Sequence, residues 1–195
     1  MTGLREIVDA VAQAIVPQLD RPFAFFGHSM GAIICFELAR KLRRDRGLTP
    51  AHLFVSAHRA PQTACTRPTF HNLPDAEFVE KLRWLKGTPA EVFEHPELMR
   101  LLLPLLRRDF AAVEEYSYRH EPPFDSPISA FGGLQDQVVS RDEMQGWRAQ
   151  TEGAFSLRMF PGEHFFIHTA ETLLVGLLSH QLQKIAERLR VERAA

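Results

Sequence analysis

With 195 residues, 45% of them hydrophobic, and 15 phenylalanines, the chain has the size and apolar content of one ordinary domain. Its 23 basic and 24 acidic residues nearly cancel, and a net charge of −1 offers no electrostatic case for nucleic acid or an anionic membrane surface. The two cysteines, Cys35 and Cys65, make at most one disulfide, which is no secreted disulfide framework and points to a reducing cytoplasm.

The first element is a helix over residues 3–19, where Leu4, Ile7, Val8, Val11, Ala14 and Ile15 recur at helical spacing. Arg5, Glu6 and Asp9 inside that pattern make it amphipathic and not a signal peptide. No window of the chain approaches the roughly 18 apolar residues of a membrane span. Asp20-Arg21-Pro22 breaks the helix, and Phe23–Phe26 is short and continuously apolar, as in a strand buried on both faces. After Ser29 the period becomes helical again, with Ile34, Leu38 and Leu42 four apart. Arg40, Lys41, Arg43 and Arg44 fall on the outer face or near the helix end, where cations suit the dipole. Gly47 and Thr49-Pro50 stop this helix.

Residues 51–57, AHLFVSA, read as a second buried strand. From His58 to Pro74 there is no period. Leu-rich helices follow around 75–86, 89–94 and 96–119, interrupted by Pro89, Pro96 and Pro104. This insertion separates the second strand from a third at 126–133, SPISAFGG. A helix at 141–151, a strand at 154–160 and a last helix over about 168–192 complete the chain. Strands separated by helices predict an α/β fold with a mostly parallel sheet covered on both faces, as one domain over 1–195. Such sheets collect their chemistry at the carboxyl ends of the strands.

At the first of those ends stands Gly27-His28-Ser29-Met30-Gly31, a G-x-S-x-G motif between a predicted strand and a predicted helix. A serine on so sharp a turn is strained and crowded two positions away on each side, so glycine suits both neighbours. The turn presents the Ser29 hydroxyl above the sheet and leaves the Met30 N–H free to stabilise an oxyanion. A plain Gly/Ser turn capping a helix is the bland alternative. A serine nucleophile needs a base, and the base needs an orienting carboxylate, in the chain order Ser, acid, His. Asp136 lies just past the third strand in FGGLQDQVV, and His164 just past the fourth in FPGEHFFIH. Alone, Asp136 would be a turn residue and His164 a packed core histidine; order and strand-end position single them out. Glu163 adjoins His164 too closely in sequence for triad geometry, and Asp142 opens the following helix. The loop after the second strand, SAHRAPQ, has no carboxylate. His164 and His168 are one helical turn apart, but no further ligand cluster or H-E-x-x-H glutamate supports a metal. His28 is assigned to packing or polar lining, and Trp84 and Trp147 to core or lid packing.

Together FGHSMGA, FVSAHRAP, FGGLQDQVV and FPGEHFFIH resemble, in order and spacing, the type II thioesterases of polyketide and nonribosomal peptide assembly lines. The resemblance covers essentially the whole chain. It implies an α/β-hydrolase fold in which residues 58–120 form a lid over an acyl chamber. Ser29 would be the nucleophile, His164 the base and Asp136 the orienting acid, with no cofactor and no metal. The implied partner is an acyl or peptidyl carrier protein bearing an acyl-phosphopantetheine arm. Arg59, Arg67, Arg107 and Arg108 are the basic residues available to an acidic carrier helix, each also suited to a solvated surface role. A general carboxylesterase or acyltransferase of the same fold is the second enzyme reading.

In one respect the chain departs from the family. Members carry opening strands and a Gly-Gly loop, whose backbone N–H completes the oxyanion hole, before the first helix read here. The expectation is therefore that the N-terminal part of the sheet is missing, through a start placed inside a longer chain or a truncation. Phe23–Phe26 would become an exposed apolar edge unless a second copy covers it. Losing one oxyanion donor costs on the order of 10²–10³ in turnover, and an inactive carrier-binding remnant is the third reading.

Overall fold

The computed structural model describes residues 3–65 and 67–194, and the side chains of those up to residue 191. Twelve elements follow in chain order: α1 (Leu4–Ile15), β1 (Ala24–His28), α2 (Met30–Arg46), β2 (His52–Ser56), α3 (Asp75–Leu85), α4 (Ala90–Phe93), α5 (Pro96–Glu114), β3 (Ile128–Gly133), α6 (Arg141–Gln145), β4 (Phe155–Phe160), α7 (Phe166–Thr169) and α8 (Glu171–Ala194). Short 3₁₀ turns at Val16–Gln18 and Gly146–Gln150 extend α1 and α6.

The four strands form one sheet in the order β1-β2-β3-β4, every pair parallel. Alternate residues of the central strands face opposite cores. Leu53, Val55, Ile128 and Ala130 pack with α1, α2 and Trp147 on one side. Phe54, Phe131 and Phe160 pack with Phe166, Ala170 and Leu174 on the other. That double covering is why every residue of β2 and β3 is buried, the polar His52, Ser56 and Ser129 included. Among the described residues β1 stands at one edge of the sheet. Of its apolar side chains only Phe26 is open, at 40% exposure, because Phe25 turns into the core under α1 and α2.

Several predicted boundaries shift for identifiable reasons. Pro104 lies inside α5 without ending it, so the insertion is less interrupted than its prolines suggest. The helix stops at Glu114 and not near 119, because the next residues bond to α2. Tyr116 donates to Glu37, and the carbonyls of Arg119, Pro122 and Pro123 accept from Arg40 and Arg43. Arg40 is therefore a buried residue at 2% exposure, paired with Glu37 and Glu121, and not on the outer face of the helix. The helix read at 141–151 is α-helical only to Gln145, opened by a reciprocal Ser140–Glu143 capping box. The last helix is two, divided at Ala170. No helix among the described residues is long and apolar enough to cross a membrane.

Candidate active site

β1 leads straight into α2 through Ser29, whose backbone sits at φ 51, ψ −120. A non-glycine residue there is strained by order of 1–3 kcal/mol, which surrounding structure must hold in place. The holding bond is visible: the Ser29 N–H donates to the Ser56 carbonyl at 2.8 Å, and the Ser29 carbonyl accepts from Ala32 at 3.0 Å. The two glycines are not equivalent. A Cβ on Gly27 would overlap the Gly31 carbonyl, whereas a Cβ on Gly31 would meet nothing within contact range. Crowding therefore explains Gly27 and does not explain Gly31.

Ser29 occupies the N-cap position of α2, yet its side chain caps no helical N–H. The bland capping role is thereby removed. The Oγ instead lies 3.0 Å from His164 Nε2, across 135 positions of sequence. His164 follows β4, and its Nδ1 is 2.9 Å from Asp136 Oδ2. An ionised carboxylate can only accept, so Nδ1 carries the proton and Nε2 presents its lone pair to the Ser29 hydroxyl. The other Asp136 oxygen accepts the Val138 and Val139 N–H groups at 2.7 and 3.1 Å, which fixes the carboxylate's direction. The Asp136 side chain is fully buried and that of His164 nearly so. Their two loops are joined by the Leu134 N–H to the Phe160 carbonyl, the Gln135 N–H to the Gly162 carbonyl, and the Gly162 N–H to Gln135 Oε1. Met30 opens α2, so its N–H falls at a helix N-terminus, where amides lack intrahelical acceptors.

The rival residues go elsewhere. Glu163 turns away and pairs with Lys86 at the end of α3. Asp142 sits in the first turn of α6. His168 stacks on Phe165, while both ring nitrogens of His164 are taken by Ser29 and Asp136, which leaves neither free for a metal. His28 bonds Ser56 Oγ through Nδ1 and packs beside the His164 ring at 5.5 Å. Burial, reinforced by the nearby His164, pushes its pKa down to about 3. Trp147 is core, donating to the His58 carbonyl, whereas Trp84 is half-exposed at the end of α3.

Three of the four arginines offered to a partner are used internally. Arg59 donates to the Thr63 carbonyl and Arg107 to His71 and Asp75. Arg67 reaches from the insertion to the Val138 carbonyl and Glu143, bracing the Asp136 loop. Sequence reasoning missed His58, which follows β2 and is buried within electrostatic reach of His164. Its neighbour Ala57 holds φ 49, a backbone feature with no residue-type signal. Burial lowers the His58 pKa to about 4.

A serine, an imidazole and a carboxylate in one hydrogen-bonded line can shuttle a proton and form an acyl-serine. A family model described as "Thioesterase domain" matches residues 1–184. The chain belongs to the thioesterase family. The gramicidin S biosynthesis protein GrsT of Aneurinibacillus migulanus is 44% identical over 185 residues, covering 95% of this thioesterase and 72% of GrsT. The solved type II thioesterase BorB, from the borrelidin biosynthetic cluster, superposes with a TM-score of 0.84 at 37% identity, covering 93% of this chain and 74% of BorB. ClbQ, from the colibactin NRPS/PKS pathway, superposes at 0.89 with 30% identity, covering 95% and 79%.

Proposed function

We propose that this thioesterase hydrolyses acyl groups from the phosphopantetheine arm of carrier proteins in polyketide or nonribosomal peptide synthesis. One observation carries the reading: the unbroken chain from Ser29 Oγ through His164 to Asp136 at three parallel strand ends. The relatives' assembly-line pathways supply the substrate class.

In the reaction, His164 Nε2 takes the Ser29 proton as Oγ attacks the thioester carbonyl. The Met30 N–H, at the positive end of α2, stabilises the oxyanion. The tetrahedral adduct collapses, His164 returns the proton to sulfur, and the pantetheine thiol leaves. Water then enters, gives a proton to His164, and its oxygen attacks the acyl-serine. The second adduct releases the carboxylic acid and restores the Ser29 hydroxyl. Asp136 holds the imidazole in the useful tautomer and stabilises its cation without taking the proton. The helical insertion at 58–120 serves as the lid.

The test is Ser29→Ala, assayed for hydrolysis of acyl-carrier proteins and for labelling by a fluorophosphonate. Both activities disappear if Ser29 is the nucleophile. A folded wild-type chain that neither labels nor hydrolyses would sink the reading, and equal hydrolysis of simple esters and carrier thioesters would favour a general esterase.

A further inference from the structure

The two residues that flank His164 in sequence are both held by the lid. Glu163 Oε1 lies 2.8 Å from Lys86 Nζ, at the turn that ends α3. Phe165 packs on Gly87, the next lid residue, so closely that a Cβ there would overlap the ring. The Phe165 ring in turn stands edge-on to His164, with centroids 5.1 Å apart at 86°. Lys86 itself adopts a left-handed conformation, φ 56, which directs the chain across the His164 loop. A cavity of about 70 Å³ remains between Trp84 and Lys86 on the lid side and Gln137, Val138 and His164 on the other.

We propose that Lys86 and Gly87 are positioning residues for hydrolysis: through Glu163 and Phe165 they hold the His164 loop and so keep the base aligned with Ser29. The inference rests on the thioesterase reading for its kinetic consequence and on the contacts alone for its structural one. The two contacts differ in strength. Lys86 and Glu163 are both more than half exposed, so their ion pair changes a rate by at most about fivefold. Gly87 is the stiffer contact, since a larger side chain must displace the Phe165 ring that stands against His164, whose alignment with the Ser29 hydroxyl is the geometry the reaction needs.

The experiment uses the full chain with Gly87→Val, Lys86→Glu, Glu163→Lys and the charge-swapped double variant. Three quantities are read: the NMR signal of the His164 Nδ1 proton, the rate of fluorophosphonate labelling, and kcat and KM on an acyl-carrier protein. Gly87→Val should broaden the Nδ1 proton signal and slow labelling and kcat together by about tenfold, with KM nearly unchanged. Lys86→Glu and Glu163→Lys should each do so more weakly, and the swap should restore labelling to within about twofold of wild type. The proposal falls if the Nδ1 signal and labelling are untouched in every variant, if KM alone moves, or if the swap restores nothing. Should Gly87→Val fail to fold, the charge swap still decides. An inert wild-type chain would overturn the thioesterase reading by itself, and the NMR signal would still decide whether the lid holds His164.

Discussion

Ser56 grips the Ser29 turn twice: its hydroxyl lies 2.9 Å from His28 Nδ1, and its carbonyl accepts the N–H of Ser29 at 2.8 Å. A single residue at the end of β2 thus holds the strained backbone and orients the ring beside His164. Ser56→Ala keeps the backbone bond and deletes the side-chain one. Because His28 Nε2 has no partner among the described residues, the variant leaves both nitrogens of a largely buried imidazole unpaired. The expected cost is about 1–3 kcal/mol in urea unfolding, with a matching fall in fluorophosphonate labelling. Unchanged stability would show that Ser56 contributes only its carbonyl.

Three buried imidazoles set an acid limit. Burial lowers His28 to about 3, and His52 and His58 to about 4. In the unfolded chain these groups titrate near 6.5, so below that pH the unfolded state binds protons the folded state refuses. Stability is fully present above about pH 6.5 and is lost as pH falls toward 4, by about 1.4 kcal/mol per pH unit for each fully buried ring. Thermal melts from pH 8 to pH 4 should show a flat region and then a steep decline. A melting temperature constant down to pH 5 would contradict these burials.

The elbow glycines separate in a pair of variants. Gly27→Ala drives a methyl into the Gly31 carbonyl and should cost about 2–3 kcal/mol, together with most activity. Gly31→Ala points into open space and should leave stability within about 0.5 kcal/mol of wild type. Denaturant midpoints for the two proteins measure the difference, and equal losses would be inconsistent with the geometry of the turn.

Asp136→Asn keeps the size of the side chain and reverses one bond. The Asn oxygen can still accept from Val138 and Val139, which turns its NH₂ toward His164 Nδ1. The ring must then carry its proton on Nε2, where it cannot take one from Ser29. With geometry intact and the tautomer wrong, kcat should fall by about 10⁴. A loss below tenfold would mean another group orients the imidazole.

Much of the site was legible because its signals are local. The G-x-S-x-G turn, the strand before it and the helix after it lie within a few residues of one another, and strand ends mark where Asp136 and His164 must fall. The alternation of buried side chains likewise follows from the two-residue period of a strand, so β2 and β3 were readable as covered on both faces. Arg40 shows where such reading stops. Its helical position suggested an exposed cation, but its partner Glu121 arrives from 81 positions away, and only that meeting makes burial affordable. In sequence Arg67 reads as a cation open to a partner, and His58 is not singled out, for the same reason: a bond to the Val138 carbonyl and burial near His164 leave no mark on neighbouring residues.

By itself, then, the sequence determined the parallel α/β order, the strained serine and the strand ends at which Asp136 and His164 fall, because each depends on short-range periodicity and backbone sterics. Only the tertiary structure decided which glycine is crowded, which arginines are internal, and that both neighbours of His164 are held by the insertion. The crowding at Gly27 comes from the Gly31 carbonyl once the turn has formed, whereas the internal arginines and the hold on His164 depend on contacts up to some 70 to 80 positions apart, such as Lys86 with Glu163, which exist only once the chain has folded.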